Sequence, residues 1–468
     1  MTGRERIQVD VVALGGGPGA TPGALFLARK GMKVAIVEKG EGLGGTCLFE
    51  GCIPSKILLE TAGRRYEMSR SEEFGLRDTV VGEVDVPALM ARKVGILAAR
   101  AQGAEQACAR SGITILHGTG DFLSPHEVIV RRSGEPDVIV EAKWVLAAPG
   151  SVATSVPIRG ADAPGVWSSA DALDLPRLPR SITIIGAGYI GCELATLFAR
   201  LGSQVHVLEA ASSLLTTEDP AAAAAVRSSF ESMGIGLSEG VFIEAIDRVA
   251  EGEWSVRCRL SDGTARLIPS ERVLVAVGRR PNSAALDWEA AGITVGERGE
   301  IPVNGFYQTK VPHIYAPGDI NGRIMLAHAA TRQSIVAAQH LLGVLDGMDA
   351  PNLIVPHVIF TSPEIASVGA DSRALADHPE WTLTKWPFAR DVRALIVGDE
   401  KGFAQIVWDR ETHTLKGMQI VGEHAGELIA EPTQVMTQGG TIDAIAGSIH
   451  PHPVLSEVIS ELVAAALG

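Results

Sequence analysis

A chain of 468 residues, 46% of them hydrophobic, is long enough for two to four domains with large cores. Its net charge of −14 argues against a nucleic-acid or anionic-membrane surface. No apolar run approaches the roughly 20 residues of a membrane span, and the polar stretch 1–10 does not read as a signal peptide.

Five cysteines in so long a chain do not make a disulfide scaffold. That usage suits a reducing cytoplasm, where a disulfide is more often catalytic than structural. Cys108, Cys192 and Cys258 stand alone and read as small core residues.

The first predicted element is an apolar strand over 9–14 that runs into Gly15-Gly16-Gly17-Pro18-Gly19-Ala20. This fits the G-x-G-x-x-G/A fingerprint of a dinucleotide-binding βαβ unit, with Gly15, Gly17 and Ala20 at its three positions. The first allows a tight turn, the second lets pyrophosphate approach the backbone, and the third is small for helix–strand packing. The pyrophosphate then sits on the helix N-terminus. Pro22 falls early in that helix, where a residue without an N–H is tolerated. Gly31 ends the helix. A second strand over 33–37 leads into Glu38, a carboxylate suited to the hydroxyls of an adenosine ribose.

Next come two cysteines five apart, Cys47 and Cys52, which look like a redox-active pair. On an ideal helix such positions rise about 7.5 Å, whereas a disulfide needs Cα atoms within roughly 6.8 Å. Closure therefore needs a kink, which Gly51 permits. Pro54 suits the first turn of a helix running on through 56–59. Cys52 then lies at a helix N-terminus, where the dipole favours a thiolate. Spacing alone leaves open two buried, unrelated cysteines. No second Cys or His pair is near enough to suggest zinc, and no metal site is expected.

The dinucleotide unit then repeats. A strand over 182–185 enters Gly186-Ala187-Gly188-Tyr189-Ile190-Gly191, with Gly186, Gly188 and Gly191 at the fingerprint positions. Gly202 ends the helix, and a strand over 204–208 leads into Glu209. Ala210, Ala211, Ser212 and Ser213 follow with no basic residue, so NAD(H) is favoured over NADP(H). Strands into Pro149-Gly150 and into Gly278 bracket this second unit as crossover points.

Taken together, these motifs make the chain resemble the disulfide reductases of the pyridine-nucleotide–flavin family, and within it the dihydrolipoamide dehydrogenases. The resemblance rests on the segment Gly44 to Lys56 and on Gly278-Arg279-Arg280-Pro281-Asn282. It also rests on Ile314-Tyr315-Ala316-Pro317-Gly318-Asp319, Leu326-Ala327-His328, Phe360-Thr361-Ser362-Pro363-Glu364 and the stretch from His450 to Glu457. It implies an α/β fold of two Rossmann-like dinucleotide-binding domains, for FAD and NAD, plus a C-terminal α+β dimerisation domain. The implied division is FAD domain 1–147 and 279–350, NAD domain 148–278, and dimerisation domain 351–468.

The implied partners are a second copy of the chain and a lipoyl-bearing carrier domain. Cys47 would exchange with the dithiol substrate and Cys52 would face the flavin. His452 would act as base with Glu457 as its orienter, across the dimer interface. Pro453 suits the start of the helix that carries Glu457, and a histidine titrates near neutrality. His450 is left to packing. Lys56 and Glu193 would pair beside the flavin, and Thr46, Asp319 and Ala327 would contact FAD. Four departures stand out: Phe49 with Glu50 inside the redox loop, Pro149, Pro22 early in the first dinucleotide helix, and Thr331-Arg332-Gln333 where acidic residues are common.

Overall fold

A computed structural model describes residues 5–345 and 347–468. Part of the polar N-terminal stretch, residues 1–4, lies outside them. Strand β1 (Glu5–Leu14), helix α1 (Thr21–Arg29) and strand β2 (Val34–Glu38) form the first βαβ start. Helices α2 (Gly45–Phe49), α3 (Cys52–Ser69) and α4 (Val86–Arg110) follow, then β3 (Thr114–His117), β4 (Thr119–Ser124), β5 (Glu127–Arg131) and β6 (Val138–Ala147). The sheet order is β3-β2-β1-β6-β5-β4. β1, β2, β3 and β6 run parallel, and β5 turns antiparallel onto β6. Val11, Val12, Ala13, Ala35 and Ile36 are fully buried, as strands covered on both faces require.

Strand β7 (Ser151–Ala153) leads to the second unit: β8 (Ser181–Ile185), α5 (Tyr189–Leu201), β9 (Gln204–Leu208), α6 (Pro220–Ser232) and β10 (Gly236–Ser238). An antiparallel trio follows, β11 (Phe242–Ala250), β12 (Glu253–Arg259) and β13 (Ala265–Ser270), and β14 (Arg272–Val275) returns to the parallel sheet. That sheet has the order β10-β9-β8-β14. β15 (Arg279–Pro281) pairs antiparallel with β7, so both crossovers meet in one ribbon. β16 (Ile314–Tyr315) then rejoins the first sheet beside β6, and α7 (Ala327–Leu341) packs on α1.

The remaining chain forms an antiparallel sheet ordered β17-β18-β21-β20-β19. Its strands are β17 (His357–Ile359), β18 (Ile365–Gly369), β19 (Trp381–Pro387), β20 (Phe403–Asp409) and β21 (Leu415–Val421), with helix α8 (Val392–Val397) between β19 and β20. Helices α9 (Ala425–Leu428), α10 (Ala430–Thr437), α11 (Ile442–Ala446) and α12 (Glu457–Leu467) follow. Val458, Ile459, Leu462 and Val463 of α12 close its core. Among the described residues no helix is long and apolar enough to cross a membrane.

Two features position the site. Residues Gly191 to Phe198 of α5 are buried throughout, because α5 lies between its own sheet and α3. Helices α3 and α5, from different units, therefore run in contact and bring their N-terminal halves together.

Candidate active site

The redox loop is a broken helix. α2 ends at Phe49, Glu50 and Gly51 lie outside any helix, and α3 starts at Cys52. The loop's entry demands glycine. Gly44 and Gly45 have φ of +144° and +57°, and a Cβ on Gly45 would stand 2.9 Å from the Gly17 Cα. Backbone meets backbone there, so the loop lies directly against the first fingerprint. The Thr46 carbonyl accepts from the Glu50 N–H at 2.9 Å and closes α2. Phe49 packs with Leu48, Ile57, Leu97 and Ala101, towards α4. Glu50 is exposed.

Cys47 is half-buried and Cys52 exposed, and both are free thiols sharing a hydrogen bond. The sharing is unequal. The Cys47 hydrogen bond and the Lys56 charge draw the Cys52 pKa down to about 7, against the Glu193 charge and the partial desolvation that neighbouring protein imposes even on this exposed residue. The Cys52 partner and burial push Cys47 far up. The first proton to leave the pair therefore leaves Cys52, at a helix start whose free N–H groups favour an anion. Cys108, Cys192 and Cys258 are fully buried.

Lys56 Nζ lies 2.8 Å from Glu193 Oε2. Glu193 is buried in α5, and its other oxygen accepts from the Phe360 N–H at 2.9 Å. Lys56 Nζ also stands 4.4 Å from the centre of the Phe360 ring. Asp319 is half-buried, and burial raises its pKa. It accepts from the Ser151 hydroxyl at 2.6 Å, and that hydroxyl accepts from Arg279 Nε at 2.8 Å. Gln333, in the stretch that departs from the acidic pattern, is buried and holds the Asp319 turn. Its Oε1 accepts from the Gly318 N–H and from Asn321 Nδ2, both at 2.8 Å. Ala327 is the first residue of α7, half-buried beside that turn.

The two fingerprints match at the first glycine and at the trailing carboxylate. Gly15 and Gly186 have φ of +104° and +102°, and a Cβ on either would strike a carbonyl, Ala148 O at 2.5 Å or Ala276 O at 2.6 Å. Glu38 accepts from the Gly16 and Gly40 N–H groups, both at 2.6 Å. Glu209 accepts from the Ala187 and Ala211 N–H groups at 2.6 and 2.7 Å. The third position differs. Ala20 fits the first copy, whereas a Cβ on Gly191 would lie 1.9 Å from Gly186 O. Around Gly188 a Cβ would meet nothing within 4 Å, and Gly278 is equally open.

These features fit two dinucleotides. Each glycine turn opens onto a helix start, and each carboxylate keeps lone pairs for ribose hydroxyls. Arg227 comes within 3.0 Å of Ser213, beside Glu209, a neighbour that sequence reasoning missed. Its charge is already taken by Glu239 at 2.8 Å.

His452 Nδ1 lies 2.8 Å from Glu457 Oε1, and Glu457 Oε2 accepts from the Val454 N–H at 2.9 Å. The Val454 N–H and then the His452 ring hold the Glu457 carboxyl below the usual range. The expectation of a helix starting at Pro453 is corrected: α12 starts at Glu457. The reason is that the Val454 N–H bonds the Glu457 side chain, which caps the turn ahead of the helix. His450 is mostly buried and pairs with Glu431 at 3.0 Å. Within one chain, no hydrogen bond or ion pair among the described residues joins His452 to Cys47 or Cys52. The structure thus brings Cys47, Cys52, Lys56 and Glu193 together and leaves His452 and Glu457 on a separate surface.

The pyridine nucleotide-disulphide oxidoreductase family matches residues 9–334, and its dimerisation domain matches residues 355–463. Dihydrolipoyl dehydrogenase from Haloferax volcanii is 35% identical over 464 residues, 98% of this chain and 96% of that protein. Dihydrolipoyl dehydrogenase from Bacillus subtilis is 35% identical over 463 residues, 98% of this chain and 99% of that protein. Among solved structures, the chain is similar to LpdA from Mycobacterium tuberculosis, with TM-score 0.90 and 26% identity over 99% of this chain and 100% of that one. It is also similar to a Cu(II) complex of the HOCl-induced flavoprotein disulfide reductase RclA from Escherichia coli. There the TM-score is 0.88 and the identity 26%, over 98% of this chain and 99% of the other.

Proposed function

The chain belongs to the pyridine nucleotide-disulphide oxidoreductase family, and from that premise we propose that it oxidises the reduced lipoyl group of a carrier domain, with NAD⁺ as acceptor. Its cofactors are FAD and NAD(H), and it is a homodimer through its C-terminal domain. We assign FAD to residues 1–147 and 279–350, NAD to 148–278, and dimerisation to 351–468.

Gly15, Gly17, Ala20, Glu38, Thr46, Asp319 and Ala327 hold FAD in this reading. Gly186, Gly188, Gly191, Glu209 and Gly278 hold NAD. Bound FAD supplies the two-electron link between the protein's dithiol and the nicotinamide.

In the oxidised enzyme Cys47 and Cys52 form a disulfide. A substrate thiolate attacks the Cys47 sulfur, a mixed disulfide forms, and the pair's S–S bond breaks to release Cys52 as thiolate. The second substrate thiol then attacks its own sulfur in that bond. Substrate leaves as disulfide and Cys47 as thiol. His452 takes the proton of the first attacking thiol, the proton of the second passes to the departing Cys47 sulfur, and Glu457 orients the ring.

The observation that carries this reading is the inequality of the two thiols: Cys52 is the better anion and hence the better leaving group. A dithiol that must cycle also suits a reducing cytoplasm. A second reading, a different electron acceptor such as a metal ion, draws on the likeness to RclA, a copper complex of which is known. The test is turnover of purified holoenzyme with lipoamide, glutathione disulfide, Hg(II) and quinones. Lipoamide turnover that vanishes in Cys52→Ser is expected. No lipoamide turnover sinks the substrate, and full-rate turnover by Cys52→Ser sinks the mechanism.

A further inference from the structure

We propose that Phe360, carried into the site by the dimerisation domain, is a positioning residue that holds the Lys56–Glu193 pair against Cys52. The inference rests on the redox role proposed above for Cys52 and not on the lipoyl substrate.

Phe360 contributes through two groups. Its N–H bonds Glu193 Oε1, while Lys56 occupies Oε2, so a buried carboxylate has both oxygens satisfied inside one cluster. Its ring takes a second face of the same ammonium at 4.4 Å. An ammonium has three donor directions. Carboxylate and ring use two, and Lys56 lies four residues after Cys52 on α3, so the two side chains share one helix face.

The loop is pinned beyond this point. Ser362 accepts a hydrogen bond from Arg200, near the far end of α5. The Arg200 guanidinium lies 4.1 Å from the centre of the Tyr66 ring on α3, and Arg65 of α3 donates to the Arg200 carbonyl at 2.8 Å. Residues 360–362 thus bind α5 at two places, Glu193 and Arg200, about two turns apart. A shift of the dimerisation domain would move the ring and the amide together.

The groups facing Cys52 are Cys47 on α2, Lys56 on its own helix, and Glu193 and Tyr189 on α5, with Asp319 beyond Cys47. His452 and Glu457 of the second copy join them in the proposed dimer. Among the described residues, Lys56 is the cation that acts on Cys52, while Arg279 acts on Tyr189 and Asp319. Where the Lys56 ammonium stands therefore adds to the Cys47 hydrogen bond in deciding how readily Cys52 gives up its proton.

The S–H infrared band of the reduced holoenzyme reads this directly. One S–H is expected to be lost as the pH rises through neutrality, and its absence in Cys52→Ser would assign it to Cys52. Phe360→Leu keeps an apolar side chain and the amide but removes the ring, and raises the midpoint by about half a pH unit. A ring-fluorinated phenylalanine at this position, alike in shape with a weaker face, moves it the same way and carries the test if Phe360→Leu fails to fold. Phe360→Tyr stays at the wild-type midpoint. A fluorinated or leucine protein that titrates with wild type overturns the proposal, as does a tyrosine variant that titrates with leucine. Lipoamide turnover measured alongside separates the readings: its absence with the shift intact removes only the substrate.

Discussion

At Cys52 three favourable effects meet two opposing ones. The Cys47 thiol donates to it, Lys56 is near, and its own backbone N–H donates to the sulfur; partial desolvation and Glu193 act against the anion. The balance leaves the thiol at about 7. Lys56→Met removes the cation and keeps the buried Glu193, so the anion is disfavoured and the pKa must rise. A nearby opposite charge shifts a pKa by roughly one to three units. The expected result is a Cys52 midpoint at least about one unit higher, which lowers the thiolate at pH 7 from about one half to about one tenth, roughly a fivefold loss. The S–H infrared band of the reduced protein checks it. Cys108, Cys192 and Cys258 keep their protons there, because burial raises all three. A midpoint unmoved by Lys56→Met would remove Lys56 from the thiol's environment.

Elements repeat where chemistry dictates spacing, and those were legible in the sequence. The two glycine turns and their trailing carboxylates need fixed residue types at fixed intervals, so both βαβ starts and both strand ends could be read directly. Groups brought together by helix packing leave no such trace. Lys56 and Glu193 lie far apart in the chain and meet because α3 packs on α5, and only family resemblance paired them. Phe360, Gln333 and Arg227 act through contacts that no local pattern announces. Pro453 points to a helix start that the structure places at Glu457, because the Glu457 side chain caps the turn before it.

The repeat also separates folding from binding at this scale. Gly191→Ala would drive a Cβ to 1.9 Å from Gly186 O, so α5 must move from its sheet. Gly188→Ala meets no protein atom within 4 Å and sits at an ordinary φ of −73°. Gly188→Ala is expected to melt with wild type and keep its FAD while KM for NAD rises at least about tenfold, since the pyrophosphate approaches the backbone there. Gly191→Ala is expected to lose thermal stability as well. Thermal melting beside NAD titration distinguishes them, and an unchanged KM in Gly188→Ala would place the dinucleotide elsewhere.

The whole molecule keeps its dithiol and the His452–Glu457 pair on different units. The His452 side chain is 70% exposed and Ile449 is 98% exposed, on the domain that makes the dimer. Val392, Leu395 and Ile396 add exposed apolar surface on the same domain. A two-fold dimer would use such a surface twice and build two equal sites, each from the cysteines of one copy and the histidine of the other. Subunit exchange tests this. Cys47→Ser and His452→Gln dimers should each be nearly inactive. After exchange in equal amounts, half the dimers hold one of each. In such a dimer one site combines both defects, and the other joins intact cysteines to an intact histidine. Half the dimers with one working site of two restore about a quarter of wild-type turnover. If His452 served its own chain, neither site of the mixed dimer would work, and turnover would stay at the mean of the two parents.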